Sequence, residues 1–194
     1  GIPKTIDNDL FGTDHCPGFG SAAKYVAASV AEIARDAYCY FVDSVTIVEI
    51  MGRNAGFLTA ASALARSENL CAPDLIYLPE HQFDVNEFLS DVKDKIKKHK
   101  NVIVAVSEGI KNKDGVFVAA ASDVLQNDKF GHAQLGGAAK TLENIVKTEI
   151  GCKCRSVEIN VLQRAASHFA SKTDLAESFK IGKTAVSYAL RGVS

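Results

Sequence analysis

Short apolar runs and longer amphipathic stretches alternate along this chain. Val45-Thr46-Ile47-Val48-Glu49-Ile50, Leu75-Ile76-Tyr77-Leu78, Val102-Ile103-Val104-Ala105-Val106 and Val157-Glu158-Ile159-Asn160-Val161-Leu162 are rich in β-branched and apolar side chains, which predicts four strands. The runs are mostly continuous, as suits strands covered on both faces. Between them, apolar positions recur at helical spacing. Residues 20–37 carry Ala23, Val26, Ala27, Val30 and Ile33 on one stripe, and 54–66, 86–98 and 136–149 read as further helices. A last helix is predicted over 173–191, with Asp174 placed to cap its amides. Lys95, Lys97, Lys98 and Lys100 close the third helix, where cations meet the negative end of the helix dipole. This order predicts an α/β fold, a parallel sheet of βαβ layers with helices on both faces. In such folds ligands settle at the carboxyl ends of the strands.

Composition narrows the field without redirecting it. The 194 residues are 47% hydrophobic and 23% charged, an ordinary globular balance. A net charge of −1 speaks against a broad nucleic-acid surface, and no apolar run approaches a membrane span. Cysteines 16, 39, 71, 152 and 154 are odd in number and lack C-x-x-C spacing. That favours reduced thiols in a cytoplasmic protein over a disulfide framework or a zinc site. Gly1 opens directly into a functional motif with no methionine and no preceding strand, so the chain reads as a segment of something longer.

The chemistry concentrates in loops. In Pro3-Lys4-Thr5-Ile6-Asp7-Asn8-Asp9, an extended backbone would point Asp7 and Asp9 to the same side. Such a pair can take up Mg²⁺ or divide into a base and its orienting partner, and it can equally be an Asx-rich turn. Met51-Gly52-Arg53 follows the first strand. Its glycine permits close backbone approach, the following helix N-terminus favours an anion, and Arg53 can bond a phosphate. Read alone, Gly52 could serve only the turn. Ser107-Glu108-Gly109 puts one carboxylate at another strand end. Arg155 and Arg164 lie nine positions apart with a strand between them, which keeps both from meeting one phosphate within one subunit. Gly131-His132 to Gly136-Gly137 reads as a loop and helix cap, and His15, His81 and His99 have no neighbouring partners in sequence.

Taken together these motifs resemble the 6-phosphofructokinase family. Gly1 to Asp9, GIPKTIDND, resembles its catalytic loop, and M-G-R, S-E-G and the Q-R of Gln163-Arg164 follow in family order. Asp174-Leu175-Ala176, Gly182 and Ala185-Val186 match the helix that follows Q-R. The resemblance implies that Asp7 is the base taking the proton of the sugar 1-hydroxyl, supported by Asp9 and Thr5. Arg53 would stabilise charge on the moving phosphoryl group. Met51, Gly52, Glu108 and Arg164 would line the fructose 6-phosphate site, and Arg155 would reach the 6-phosphate of a neighbouring subunit, which implies a homo-oligomer.

Lys4 resembles the pyrophosphate-dependent branch, whose lysine binds the donor. The implied reaction is transfer from pyrophosphate to fructose 6-phosphate, giving the 1,6-bisphosphate, with ATP as the alternative donor. Val161 replaces the usual histidine or tyrosine, and Ser44 replaces an arginine of allosteric members. Lys24, His168 and Lys172 are candidates to take over the phosphate. The family's G-G-x-G and G-G-D-[GD]-S donor motifs are absent from these 194 residues. About 15–160 is then expected to be the sugar-phosphate domain, with 1–14 and about 161–194 remnants of the donor domain. No metal ligand is assigned within the chain; Mg²⁺ is expected to be held mainly outside it. On this reading the isolated segment is a sugar-phosphate-binding module without turnover.

Overall fold

The computed structural model describes residues 1–2, 4–121 and 137–193. Strands β1 (Ser44–Ile50), β2 (Leu75–Tyr77), β3 (Asn101–Ser107) and β4 (Lys153–Glu158) form one sheet in the order β2-β3-β1-β4, and every pairing is parallel. All residues of β1 and β3 are buried, as continuous apolar runs demand. Alternation within those runs divides two cores. Val45, Ile47, Val102, Val104 and Val106 face one side, packed by α3 (Val85–Lys98) and α4 (Ala138–Glu149) through Phe88, Val92, Leu142 and Val146. Val48, Ile50, Ile103 and Ala105 face the other, under α1 (Phe19–Ala37) through Val26, Val30 and Ala34, and under α2 (Phe57–Ala61) through Leu58.

Several expectations shift. The fourth strand begins at Lys153 and ends at Glu158, four residues before the end read from hydropathy. Asn160 takes a left-handed φ of 49°, and Val161 and Leu162 turn outward into α5 (Leu162–Ala165). β4 is an edge strand, where main-chain pairing with β1 decides the register more than apolarity does. The stretch 54–66 is split: α2 starts only at Phe57, after a Gly52–Gly56 turn, and gives way to a 3₁₀ turn over Ser62–Ala65. Five residues do not make the extended helix whose N-terminus was expected to face an anion. In α3 the cap is Asp84, whose carboxylate accepts from the Asn86 and Glu87 amides at 2.7 and 3.1 Å. The residues of the Gly131–Gly136 motif lie outside the described residues.

Asp174 does not cap its own helix, α6 (Lys172–Leu190). Its carboxylate crosses to α1, accepting from the Ser21 amide at 2.7 Å and from the Ser21 hydroxyl. Burial alone would raise its pKa, but the Ser21 hydroxyl, the Gly18 and Ser21 amides and His15 hold it below the usual carboxylate range. His15 therefore has partners that only the fold supplies: its Nε2 lies 3.4 Å from Asp174 and its Nδ1 2.9 Å from Glu177. His99 likewise lies 3.0 Å from Asp74.

The opposite stripe of α6 is apolar and bare. Leu175, Phe179, Val186 and Leu190 recur at helical spacing and are 60%, 75%, 62% and 85% exposed. No helix among the described residues is long and apolar enough to cross a membrane. All five cysteines are free thiols.

Candidate functional site

The carboxyl ends of β1 and β3 open into a cleft of about 430 Å³. Lys4, Thr5, Asp7, Asp9, Met51, Arg53, Glu108 and Arg164 line it, together with Ile6 and Asn54. Eight predicted site residues thus meet in one cavity although they come from four separate segments. A larger hollow of about 740 Å³ lies between α6 and the stretches Gly1–Ile2 and Gly12–Pro17, but it contains none of them. Chemistry, not size, identifies the site.

The opening loop is held open by Asn8, which the sequence reading passed over. Asn8 has a φ of 60°, a left-handed conformation that asparagine tolerates better than most side chains. Its Oδ1 accepts from the Cys16 amide at 2.8 Å and its Nδ2 donates to the Asp14 carbonyl at 3.4 Å. The expectation of an extended stretch is therefore corrected. Asp7 and Asp9 reach the same cavity through a kinked loop, not through strand alternation. Thr5 Oγ1 accepts from the Asp7 amide at 3.2 Å and fixes the residue's backbone.

Burial is the largest influence on Asp7 and raises its pKa. The Asp9 charge raises it further, while Lys4, Arg53 and Arg164 offset part of the effect. Two carboxylates facing three cations make a compact place for a polyanion beside a proton acceptor.

The second wall is the Met51–Arg53 turn pressed against the Ser107–Gly109 triplet. Gly52 has a φ of 134°, a conformation that L side chains rarely adopt, and a Cβ there would meet the Ala55 carbonyl oxygen at 2.3 Å. The Gly52 amide points at Glu108 Oε1 at 3.4 Å. Glu108 itself is pushed up to about 7, first by burial, with Glu49 and Asp7 adding to the rise and the Gly52 amide and Arg53 opposing it.

That shift has a sign that can be tested. A carboxyl held above its ordinary 4.5 binds more protons in the folded than in the unfolded state, so its contribution to stability falls as pH rises from about 4.5 to about 7. Glu108→Gln removes this loss. The variant should gain on the parent, by on the order of 1–2 kcal/mol after allowing for partial solvent screening, between pH 5 and pH 8 in urea unfolding. A constant difference across that range would show that Glu108 does not titrate there.

Arg155 does not join the cleft. It lies inside β4 opposite Thr46, where its Nε donates to Thr46 Oγ1 at 3.2 Å and a terminal nitrogen pairs with Asp36. Arg164 sits beyond the carboxyl end of that strand, in α5, so the fold does part the two arginines, but Arg155 lies within the strand and not at its opposite end as expected. Among the described residues, the only His, Cys, Asp and Glu side chains gathered at metal-ligand spacing are His15, Asp174 and Glu177, outside the cleft.

Residues 1–181 match the family model described as phosphofructokinase. The chain belongs to the phosphofructokinase family. It is 49% identical over 196 residues to a Xanthomonas campestris pv. campestris protein named pyrophosphate–fructose 6-phosphate 1-phosphotransferase, covering 100% of this chain and 46% of that protein. A Methylococcus capsulatus protein of the same name is 44% identical, with the same coverage. The crystal structure of a pyrophosphate-dependent phosphofructokinase from Marinobacter aquaeolei superposes with a TM-score of 0.79 at 37% identity, over 99% of this chain and 44% of that one. The chain thus spans about half the length of the curated relatives it matches.

Proposed function

We propose that this segment is the acceptor side of an enzyme transferring a phosphoryl group from pyrophosphate to the 1-hydroxyl of fructose 6-phosphate. The observation that carries the reading is the cleft that joins Asp7 and Asp9 to Lys4, Arg53 and Arg164 at the carboxyl ends of the strands. Asp7 takes the hydroxyl proton, and its burial strengthens it as a base. Arg53 faces the charge that spreads over the transferring phosphoryl oxygens. Met51, Gly52 and Glu108 shape the sugar side, and Arg164 holds the 6-phosphate through its planar fork.

Two carboxylates are too few to enclose Mg²⁺, and among the described residues Glu108, the third acid lining the cleft, does not come within metal-ligand spacing of both. Asp7 and Asp9 suit an ion that takes most of its oxygens from the donor phosphates, as Mg²⁺ does. When bound, the ion would neutralise donor charge.

Arg155 lies inside β4 and outside the Asp7 cleft, so its service to a 6-phosphate would be to a second subunit in a homo-oligomer. The bare apolar stripe of α6 supports the reading that about 161–194 belongs with 1–14 to a donor domain. The occupant of that stripe is further polypeptide of the same protein, in keeping with relatives about twice as long. The sheet and its helices, about 15–160, are the sugar-phosphate domain. Free thiols and the substrates suit a cytoplasmic location.

Donor choice rests on Lys4, an exposed ammonium at the cleft rim that can hold a pyrophosphate oxygen and takes up room a nucleotide would need. In a full-length enzyme carrying this segment, product formation with pyrophosphate should exceed that with ATP by at least about tenfold, and Lys4→Gly should weaken use of pyrophosphate. Preference for ATP would reverse the assignment.

A further inference from the structure

We infer that Ser107 and Gln163 are positioning residues that clamp the Met51-Gly52-Arg53 turn from two sides, so that the turn presents Arg53 and the sugar wall in one fixed geometry. The inference rests on the functional reading above. Neither side chain lines the part of the cleft where substrate would sit. Both are buried polar groups, Ser107 at 0% exposure and Gln163 at 2%, and a buried polar group is costly unless it is fully bonded.

Their bonds converge on the turn. Ser107 Oγ donates to the Gly52 carbonyl at 2.6 Å and accepts from the Gly109 amide at 3.0 Å, so one hydroxyl joins the turn after β1 to the loop after β3. The Glu108 amide adds a bond of 3.0 Å to the Ile50 carbonyl, just ahead of the turn. From the other side, Gln163 Oε1 accepts from the Met51 amide at 3.2 Å, and Gln163 Nε2 donates to the Asn160 carbonyl at 2.9 Å. Gln163 precedes Arg164 directly, so this amide links the turn carrying Arg53 to the short helix carrying Arg164.

Without the clamp the turn around Gly52 keeps only the long contact of the Gly52 amide with Glu108, at 3.4 Å. The turn relaxes, and Arg53 leaves the position at which it would meet the phosphoryl oxygens. A shift near 1 Å at such a point costs catalysis on the order of 10²-fold. The wide sequence separations, 55 positions for Ser107–Gly52 and 112 for Gln163–Met51, explain why no local pattern shows the device.

The test uses a full-length enzyme carrying this segment, assayed with fructose 6-phosphate and pyrophosphate. Ser107→Ala should lower kcat by about tenfold or more with a smaller change in KM, and Ser107→Thr, which restores the hydroxyl, should recover most of the loss. Ser62→Ala is the matched control. Ser62 is equally buried and donates one hydrogen bond, to the Thr59 carbonyl, away from the cleft. It should lower the unfolding midpoint, as loss of a buried hydrogen bond does, and leave kcat unchanged. Gln163→Met should act like Ser107→Ala, and the double variant should lose less than the product of the single losses, because both side chains restrain one turn.

Kinetics of Ser107→Ala matching those of Ser62→Ala, or losses that multiply fully in the double variant, would overturn the clamp. Asp7→Asn measured alongside separates the two layers. If it abolishes turnover while Ser107→Ala does not alter it, only the clamp falls. If Asp7→Asn is fully active, the functional reading falls and the clamp with it.

Discussion

Asp7→Asn in a full-length enzyme carrying this segment is expected to lower kcat by roughly 10²–10⁴-fold, the range that general-base catalysis supplies, with affinity for fructose 6-phosphate nearly retained. Asparagine keeps the size of the side chain and its place in the cleft but has no carboxylate to accept a proton. Burial, the largest influence on Asp7, favours proton uptake, and Asp9 adds to it. Lys4, Arg53 and Arg164 counter that rise and favour the ionised form that a base must present. The groups assigned to the sugar, Met51, Glu108 and Arg164, come from other segments and are untouched by the change. The sugar therefore still binds while the proton has nowhere to go. Steady-state kinetics paired with direct sugar-phosphate binding checks both halves, and an unchanged kcat would remove Asp7 from the role.

Gly109→Ala is expected to damage the site through sterics alone. A Cβ on Gly109 would lie 2.0 Å from the Arg53 carbonyl oxygen, 2.5 Å from its carbonyl carbon and 2.8 Å from its Cα. All three are main-chain atoms, so no rotamer change relieves the contact. Either the loop after β3 or the Met51–Arg53 turn must move. Overpacking of this kind costs roughly 1–3 kcal/mol of stability, and a displaced Arg53 costs catalysis by about 10²-fold. Urea unfolding and kcat/KM should fall together. A variant with parental stability and activity would mean that the two loops are not pressed together.

Much of the architecture was legible from runs of side chains. Val45–Ile50 and Val102–Val106 are continuous because each strand is covered on both faces, and β1 and β3 extend those runs by only a residue at one or both ends. The helix over 20–37 begins one residue early, at Phe19, and ends as read. Edges were harder. β4 carries Lys153, Arg155 and Ser156, polar enough to hide a strand, and the apolar Val161 and Leu162 beyond it drew the reading too far along. An edge strand is defined by the main-chain partner it adds to, and hydropathy holds no record of that partner.

In the site, residue types at loop positions pointed to acids and cations that the fold brings into one cleft, Arg155 excepted. Their supports stayed hidden. Asn8, Ser107 and Gln163 are ordinary polar residues whose purpose appears only when their partners arrive. Asp174 looks like a cap for its own helix, and in the fold it caps α1 instead.

By itself, then, the order of residues settled the alternation of strands and helices, the two-sided burial of the central strands and the choice of acids and cations offered at the loops. Those properties follow from side-chain chemistry within a few positions of one another. The tertiary structure decided the rest: that Asp7, Arg53, Glu108 and Arg164 share one cleft, that Arg155 stands apart, and that the Met51–Arg53 turn is braced from two distant segments. These depend on which loops the parallel sheet brings to its carboxyl edge. Chain closure over tens of residues, not local preference, settles that arrangement.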